Sequence, residues 1–441
     1  MVKQVVAVAV INRVMKNILL GISCLFSLIL SAQDTPINTY KKRVLEATEI
    51  DVLFSYYNQD GIHAAVSGGD GTEELSDVTS SLIVKMPLGE DDVLTVDVGI
   101  SAYTSASSSN VNPLDGDPNR PASPYIASSG ASRSDVLAHL TPSYQHSSDD
   151  RNTIWGVKGY VSSEYDYFSL GFGGSYTRLF NEKNTEVSAS AQVFLDTWNP
   201  QYPIELRGGF FDDRITGNGT YTPVSAPFEN ENRNSYSLSL NLSQILGKRV
   251  QGSLFMELVS QNGLLSTPFQ RVYFGDRNDF FIEQFQLADD VERLPDTRFK
   301  VPVGGRLNVF VNDMFIVRSY YRFYNDDWGI NSHTASLEVP IKVSNAFTVY
   351  PMYRFYRQTA ADYFYEKEVA LSTLDYYTSD YDLSAFDAHQ YGVGVRYKDI
   401  FTSANIFSYG LKTLDLRFNQ YDRSDGLSSF IVTFGASFVA D

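Results

Sequence analysis

The sequence predicts an all-β fold: a transmembrane antiparallel barrel of about sixteen strands, with long loops at one end and short turns at the other. Three observations predict it. Apolar and polar residues alternate with a period of two along nearly every ordered stretch. The connections between those stretches alternate in length. No run of 18 apolar residues follows the N-terminal segment, so a helical membrane protein is not expected.

Composition narrows the reading. The 441 residues include 29 Tyr and 29 Phe but only 3 Trp, and 43% are hydrophobic. That is too polar for a bundle of membrane helices. A net charge of −17 argues against nucleic acid as a partner, since a phosphate backbone needs a basic footprint. One cysteine excludes a disulfide framework and a Cys-based zinc site.

Taken in order, the first element is an export signal over residues 1–32. Lys16 and Asn17 precede an apolar run from Ile18 to Leu30, and Ser31-Ala32 provides a small-residue exit. Cleavage is expected after Ala32, Met1 and Met15 are both candidate starts, and Cys24 belongs to the apolar run. The barrel is then expected to occupy residues 33–441.

Sixteen alternating stretches follow, at roughly 49–57, 77–86, 93–104, 135–147, 153–164, 167–179, 185–198, 234–245, 249–261, 299–311, 315–326, 330–342, 346–359, 387–398, 409–421 and 428–439. In the third, Leu94, Val96, Val98, Ile100 and Ala102 share one face, while Thr95, Asp97, Gly99, Ser101 and Tyr103 share the other. In the eighth, Tyr236, Leu238, Leu240 and Leu242 oppose Ser237, Ser239, Asn241 and Ser243. The last alternates Phe430, Val432, Phe434, Ala436 and Phe438 with Ile431, Thr433, Gly435 and Ser437. Barrel-assembly machinery usually reads a final aromatic, so the Val-Ala-Asp end is a departure.

Connections near 87–92, 148–152, 180–184, 246–248, 312–314, 343–345 and 399–408 are short, whereas 58–76, 105–134, 199–233, 262–298 and 360–386 are long, with tight turns near 165, 327 and 424 on the same side as the long set. That parity is the pattern of an outer-membrane barrel with both termini in the periplasm of a Gram-negative bacterium, its apolar faces against lipid.

The other parity then faces a lumen wide enough for water at this strand number. Inward charges on the early strands include Asp97, Glu186, Asp196 and Glu257, with Asp51, Lys85 and Lys158. On the later strands they include Arg306, Arg318, Arg322, Arg354, Arg396 and Arg417, with Glu338 and Asp415. These are the candidate pore-lining residues, and walls of opposite sign would orient polar solutes. The competing structural role is local pairing of each Arg with Glu338, Asp415 or tyrosine hydroxyls to brace the wall.

The long loops are acidic. Asp276, Asp279, Asp289 and Asp290 are weak calcium candidates, although no spacing matches the EF-hand template and solvated, mutually repelling loops are the expected state. Within 262–298, Pro268-Phe-Gln-Arg-Val-Tyr-Phe274 is too apolar for free solution and is expected to fold inward as a constriction or plug. Only five His occur, and neither a Gly-x-Ser-x-Gly elbow nor a His-Glu-x-x-His helix is present. A porin-like channel or export/import component for an unidentified solute, without cofactor, is therefore expected ahead of two others. One is a non-conducting barrel that docks an envelope partner. The other is a barrel-embedded hydrolase.

Several segments also resemble a known family. They are Glu46-Ala-Thr-Glu-Ile-Asp-Val-Leu-Phe-Ser-Tyr-Tyr57, Gln261-Asn-Gly-Leu-Leu-Ser-Thr-Pro-Phe-Gln-Arg-Val-Tyr-Phe274, Arg293-Leu-Pro-Asp-Thr-Arg-Phe-Lys300, Arg318-Ser-Tyr-Tyr-Arg-Phe-Tyr-Asn-Asp-Asp-Trp-Gly329, His333-Thr-Ala-Ser-Leu-Glu-Val-Pro340 and Tyr376-Tyr-Thr-Ser-Asp-Tyr-Asp-Leu383. They resemble a family of Gram-negative outer-membrane proteins known only as a domain of unknown function. The resemblance implies the barrel. It also implies an envelope export or redox-maturation setting, with a small lipoprotein and thioredoxin-like proteins as partners, since such genes neighbour those of the family together with a flavin transferase. It implies no catalytic residues.

Overall fold

The computed structural model describes residues 42–104, 134–200, 202–223, 231–283, 285–406 and 408–440. The export signal, its cleavage point and nearly all of the 105–134 loop lie outside the described residues.

Sixteen long strands form one closed antiparallel barrel: β1 (Glu49–Asp60), β2 (Leu75–Pro87), β3 (Asp92–Thr104), β4 (Ser134–Ser147), β5 (Thr153–Ser163), β6 (Tyr167–Phe180), β7 (Thr185–Trp198), β8 (Glu231–Gly247), β9 (Val250–Gly263), β10 (Thr297–Phe310), β11 (Ile316–Asp326), β12 (Asn331–Glu338), β13 (Phe347–Gln358), β14 (Phe386–Lys398), β15 (Tyr409–Arg423) and β16 (Ser428–Ala440). Short pieces at Ile341–Lys342 and Asn405–Ile406 join the same sheet. Each strand pairs with its sequence neighbours, and β1 closes on β16 in a register running from Glu49 opposite Val439 to Asp60 opposite Ser428. Closure leaves no unpaired edge, which is the condition for strands to cross lipid. No helix of the described residues is long and apolar enough to cross a membrane.

The expected length parity holds. Even-numbered strands are followed by the short turns, together with both ends of the barrel; we call this the turn rim. Odd-numbered strands are followed by 61–74, 105–133, 199–230, 264–296 and 359–385 and by three tight turns, which make the loop rim.

Alternation assigns the faces. Phe172 is 55% exposed and Leu254 65%, and Leu82, Val157, Leu240, Val393 and Phe418 stand on the same outer surface. Leaving such side chains uncovered in water would be costly, whereas lipid receives them. The fully buried apolar residues lie mainly in the loops: Leu206, Val272, Tyr273, Phe274, Ile282, Ala288 and Trp328.

Candidate functional site in the capped lumen

The inward face of β10–β15 is built from arginine and tyrosine. Cross-strand register places Arg318 opposite Glu338, and Arg318 Nη1 donates to its Oε1 at 2.9 Å. Arg417, three strands away on β15, reaches the other oxygen of the same carboxylate at 3.3 Å. Arg396 Nε donates to Asp415 Oδ2 at 2.8 Å, and Tyr350 OH donates to Asp415 Oδ1. Arg417 lies over the Tyr350 ring at 4.8 Å. Gly394 makes that stack possible, because a Cβ there would collide with the Tyr350 ring. Arg306 lies over Tyr320 at 5.5 Å.

Arg322 and Arg354 differ from these. Neither has a carboxylate partner among the described residues, and the Nε of each is buried without an acceptor. Of the six arginines singled out in the sequence, three therefore brace the wall through acids, one rests on a ring, and two have neither an acid nor a ring partner among the described residues.

The acidic candidates sit elsewhere in the wall. Asp97 accepts Ser81 Oγ at 2.6 Å, with His139 Nε2 at 3.5 Å. Asp196 accepts the Tyr167 hydroxyl at 2.5 Å, and Glu257 accepts Ser239 Oγ at 3.2 Å. Glu186 faces Ser243 across the ladder. Toward the turn rim a cavity of about 480 Å³ opens between Asp51, Leu53, Ser81, Arg396, Asp415 and Thr433. Lys85 holds Asp51 there at 2.9 Å.

At the loop rim the segments after β1, β7, β9 and β13 fold into one cap. Two small sheets form inside it, one joining Arg271–Val272 to Asp290–Val291 and one joining Ile215–Gly217, Phe280–Ile282 and Phe285–Gln286. Apolar clusters knit the loops together: Leu206, Tyr273, Ala288 and Val291 in one, Val272, Phe274, Ala370 and Tyr377 in another. At its centre Arg271 Nε donates to Glu205 Oε1 at 2.6 Å, with both side chains fully buried. The guanidinium also lies 5.5 Å from the Phe285 ring centre.

This corrects the expectation of solvated, repelling acidic loops. Asp290 and Glu292 are 1% and 2% exposed. Asp290 accepts the Tyr377 hydroxyl at 2.6 Å and pairs with Arg293 at 3.0 Å. Glu292 accepts Thr378 Oγ1 at 2.6 Å and the Thr267 amide. Burial pushes the Glu292 carboxyl up to about 7, and partial burial pushes Asp289 up to about 6. The four calcium candidates have separate partners: Asp276 holds Ser372, Asp279 holds Gln286, Asp289 holds the Phe274 amide, and Asp290 holds Tyr377. Among the described residues no group of three or more His, Cys, Asp or Glu could hold a metal ion.

Ring geometry shows what the cap does. The β1–β2 and β9–β10 connections are eight strands apart in a ring of sixteen, hence diametrically opposite. They nevertheless touch. Gly68, at φ +72°, lies so close to the Tyr273 ring that a Cβ would clash with it. Lys367, from the β13–β14 loop, ties the two together, 3.3 Å from Asp70 and 4.6 Å from the Tyr273 ring centre. His63 stacks on Tyr381 at 3.4 Å, and its ring nitrogens reach Gly69 O at 2.8 Å and Asp425 O at 2.9 Å. The loops therefore meet across the mouth. The 268–274 segment, expected to fold inward, lies in this cap with Gln270 through Phe274 buried.

Sequence reasoning did not find Glu205 or the pairing that holds it, nor the isolation of Arg322 and Arg354. The only signal was the apolar 268–274 segment set among acids.

Solved structures share the barrel at low identity. A bacterial polysaccharide outer membrane secretin matches with TM-score 0.45 and 11% identity over 90% of this chain and 100% of its own. The ferric enterobactin receptor of Pseudomonas aeruginosa matches with TM-score 0.44 and 11% identity over 87% of this chain, which spans 55% of the receptor. A BenF-like porin from Pseudomonas fluorescens Pf-5 matches with TM-score 0.37 and 10% identity over 90% of this chain and 99% of the porin. No curated protein matches the sequence. The family profile described as "Protein of unknown function (DUF3570)" matches residues 19–427, nearly the whole chain, and the protein belongs to that family.

Proposed function

We propose that this protein is a solute channel of the Gram-negative outer membrane, shut at its outer face by its own loops and open toward the periplasm. The loop rim faces outward in this reading, because long connections belong to the outer surface and short turns to the periplasm. The export signal expected over residues 1–32 agrees with that route. The observation that carries the proposal is the contact between opposite loops over a charged, water-accessible lumen, in which Arg318 and Arg396 are about half exposed. A folded cap on a charged passage is a gate; a barrel that served only as an anchor would have no need of the polar lumen.

A second reading has one observation in its favour. The loop rim exposes Phe211, Ile62 and Val369, at 86%, 59% and 57%, which suits a docking platform for a partner protein. Planar-bilayer recording separates the two. The native protein should show brief, infrequent openings, and replacing 266–293 with a short Gly-Ser linker should produce steady conductance. A linker variant that folds yet conducts no more than the native protein would favour the docking platform.

A further inference from the structure

We propose that Arg322 and Arg354, flanking Thr334 on β12, form a lumenal binding site for an oxyanion group such as phosphate, sulfate or carboxylate. As a statement about cargo this rests on the channel reading. As a statement about binding it stands without it.

The division among the lumenal arginines carries the inference. Arg318 and Arg417 share Glu338, and Arg396 holds Asp415, so each of these charges is met within the wall. Arg322 and Arg354 meet none among the described residues, and an unpaired buried donor costs free energy unless something fills it. Thr334 adds a second, independent sign. It is 2% exposed, and its Oγ1 has no partner among the described residues.

Register brings the three together. Arg322, Thr334 and Tyr356 share one rung, and Tyr320, Ser336 and Arg354 share the adjacent inward-facing rung. The two arginines thus stand two strands and one two-residue step apart, roughly 12 Å between Cα atoms at ~4.8 Å per strand and ~3.3 Å per residue. Two arginine side chains converging over that span can close on one tetrahedral or planar oxyanion. The guanidinium fork matches such an anion with paired N–H bonds, which a lysine cannot reproduce.

Calorimetric titration of the refolded full chain in detergent with inorganic phosphate, then sulfate, tests the site. Saturable binding that weakens as salt is added is expected. Arg322→Gln with Arg354→Gln should weaken it at least about tenfold, since charge-assisted bonds are lost. Arg318→Gln, which removes a brace, should stay within about twofold of the native affinity. Absence of saturable binding in the native protein, or an equal loss in Arg318→Gln, overturns the proposal. Should the double glutamine variant fail to fold, Arg322→Lys with Arg354→Lys takes its place. A loss of affinity in that pair supports the fork, and unchanged affinity overturns it in favour of diffuse charge. Phosphate binding in a protein that never conducts would keep the site and retire the channel; conductance without binding would do the reverse.

Discussion

The wall of this barrel and the cap on its mouth solve the same problem by opposite means. In the wall most apolar residues stand outside, where Leu254 and Phe172 stay more than half exposed and lipid is their partner. In the cap Tyr273, Ile282 and Ala288 are nearly inaccessible, and their partners are other loops. Among the described residues the clusters of buried apolar side chains lie at the loop rim and not in the wall. A face that needs only lipid can be specified two residues at a time. A core assembled from four loops needs the ring closed first.

Breaking the cap should have the largest effect. Arg271→Ala leaves Glu205 buried and unpaired, and removing one member of such a pair costs about 3–5 kcal/mol. Hydrogen exchange should show the cap amides opening while the barrel keeps its heat-modifiable migration in electrophoresis. Barrel and cap unfolding as one would show that the two regions are not separable.

The wall should respond according to face. Leu240→Arg on β8 puts a charge into lipid at a cost of about 2–4 kcal/mol near the midplane. Ser239→Arg points into the lumen beside Glu257 and should be tolerated far better. Reversible folding into lipid vesicles measures both, and equal costs would invalidate the assigned faces.

Acidity sharpens the contrast, because the cap carries buried carboxyls. Burial pushes Glu292 and Glu73 from an ordinary 4.5 up to about 7, with repulsion from Asp382 adding to the effect at Glu73. A carboxyl raised in the folded state stabilises it fully below about pH 4.5 and loses that contribution as pH climbs through 7. The cap should therefore be tightest in acid. Protease cleavage within 264–296 should speed up between pH 5 and 8, and a rate flat over that range would count against burial of these groups.

The smallest effect is expected from the braces. Arg318 is half exposed and Arg417 still holds Glu338, so Arg318→Gln should cost no more than about 1 kcal/mol. A thermal melt would measure it, and a large loss would mean that the lumen is drier than its exposure implies.

Much of the wall was legible beforehand. β7 begins and ends where alternation placed it. The other strands shift by up to four residues: β8 and β9 reach farther toward the loop rim, and β12, expected to run to 342, stops at Glu338, with Ile341–Lys342 a separate piece. Tyr236, Leu238, Leu240 and Leu242 announce their shared face in the sequence itself, because successive side chains on a strand point to opposite sides whatever the neighbours are. Pairing of Arg318 with Glu338 could be anticipated as one of two roles. It could not be chosen, since Arg306, Arg322 and Arg354 carry the same signal and have no acid among the described residues.

The sequence by itself determined the crossing strands, their faces and the parity of the two rims, all properties written in residues two apart or in the lengths between them. Only the tertiary structure decided that Arg417 crosses to Glu338, that Glu205 meets Arg271 sixty-six positions along the chain, and that loops from opposite sides of the ring close its mouth. Those partners become neighbours only once strands distant in sequence have curled into one sheet and, for the opposed loops, once β1 has paired with β16. A period of two specifies which way a side chain points, and closure of the ring decides what it finds there.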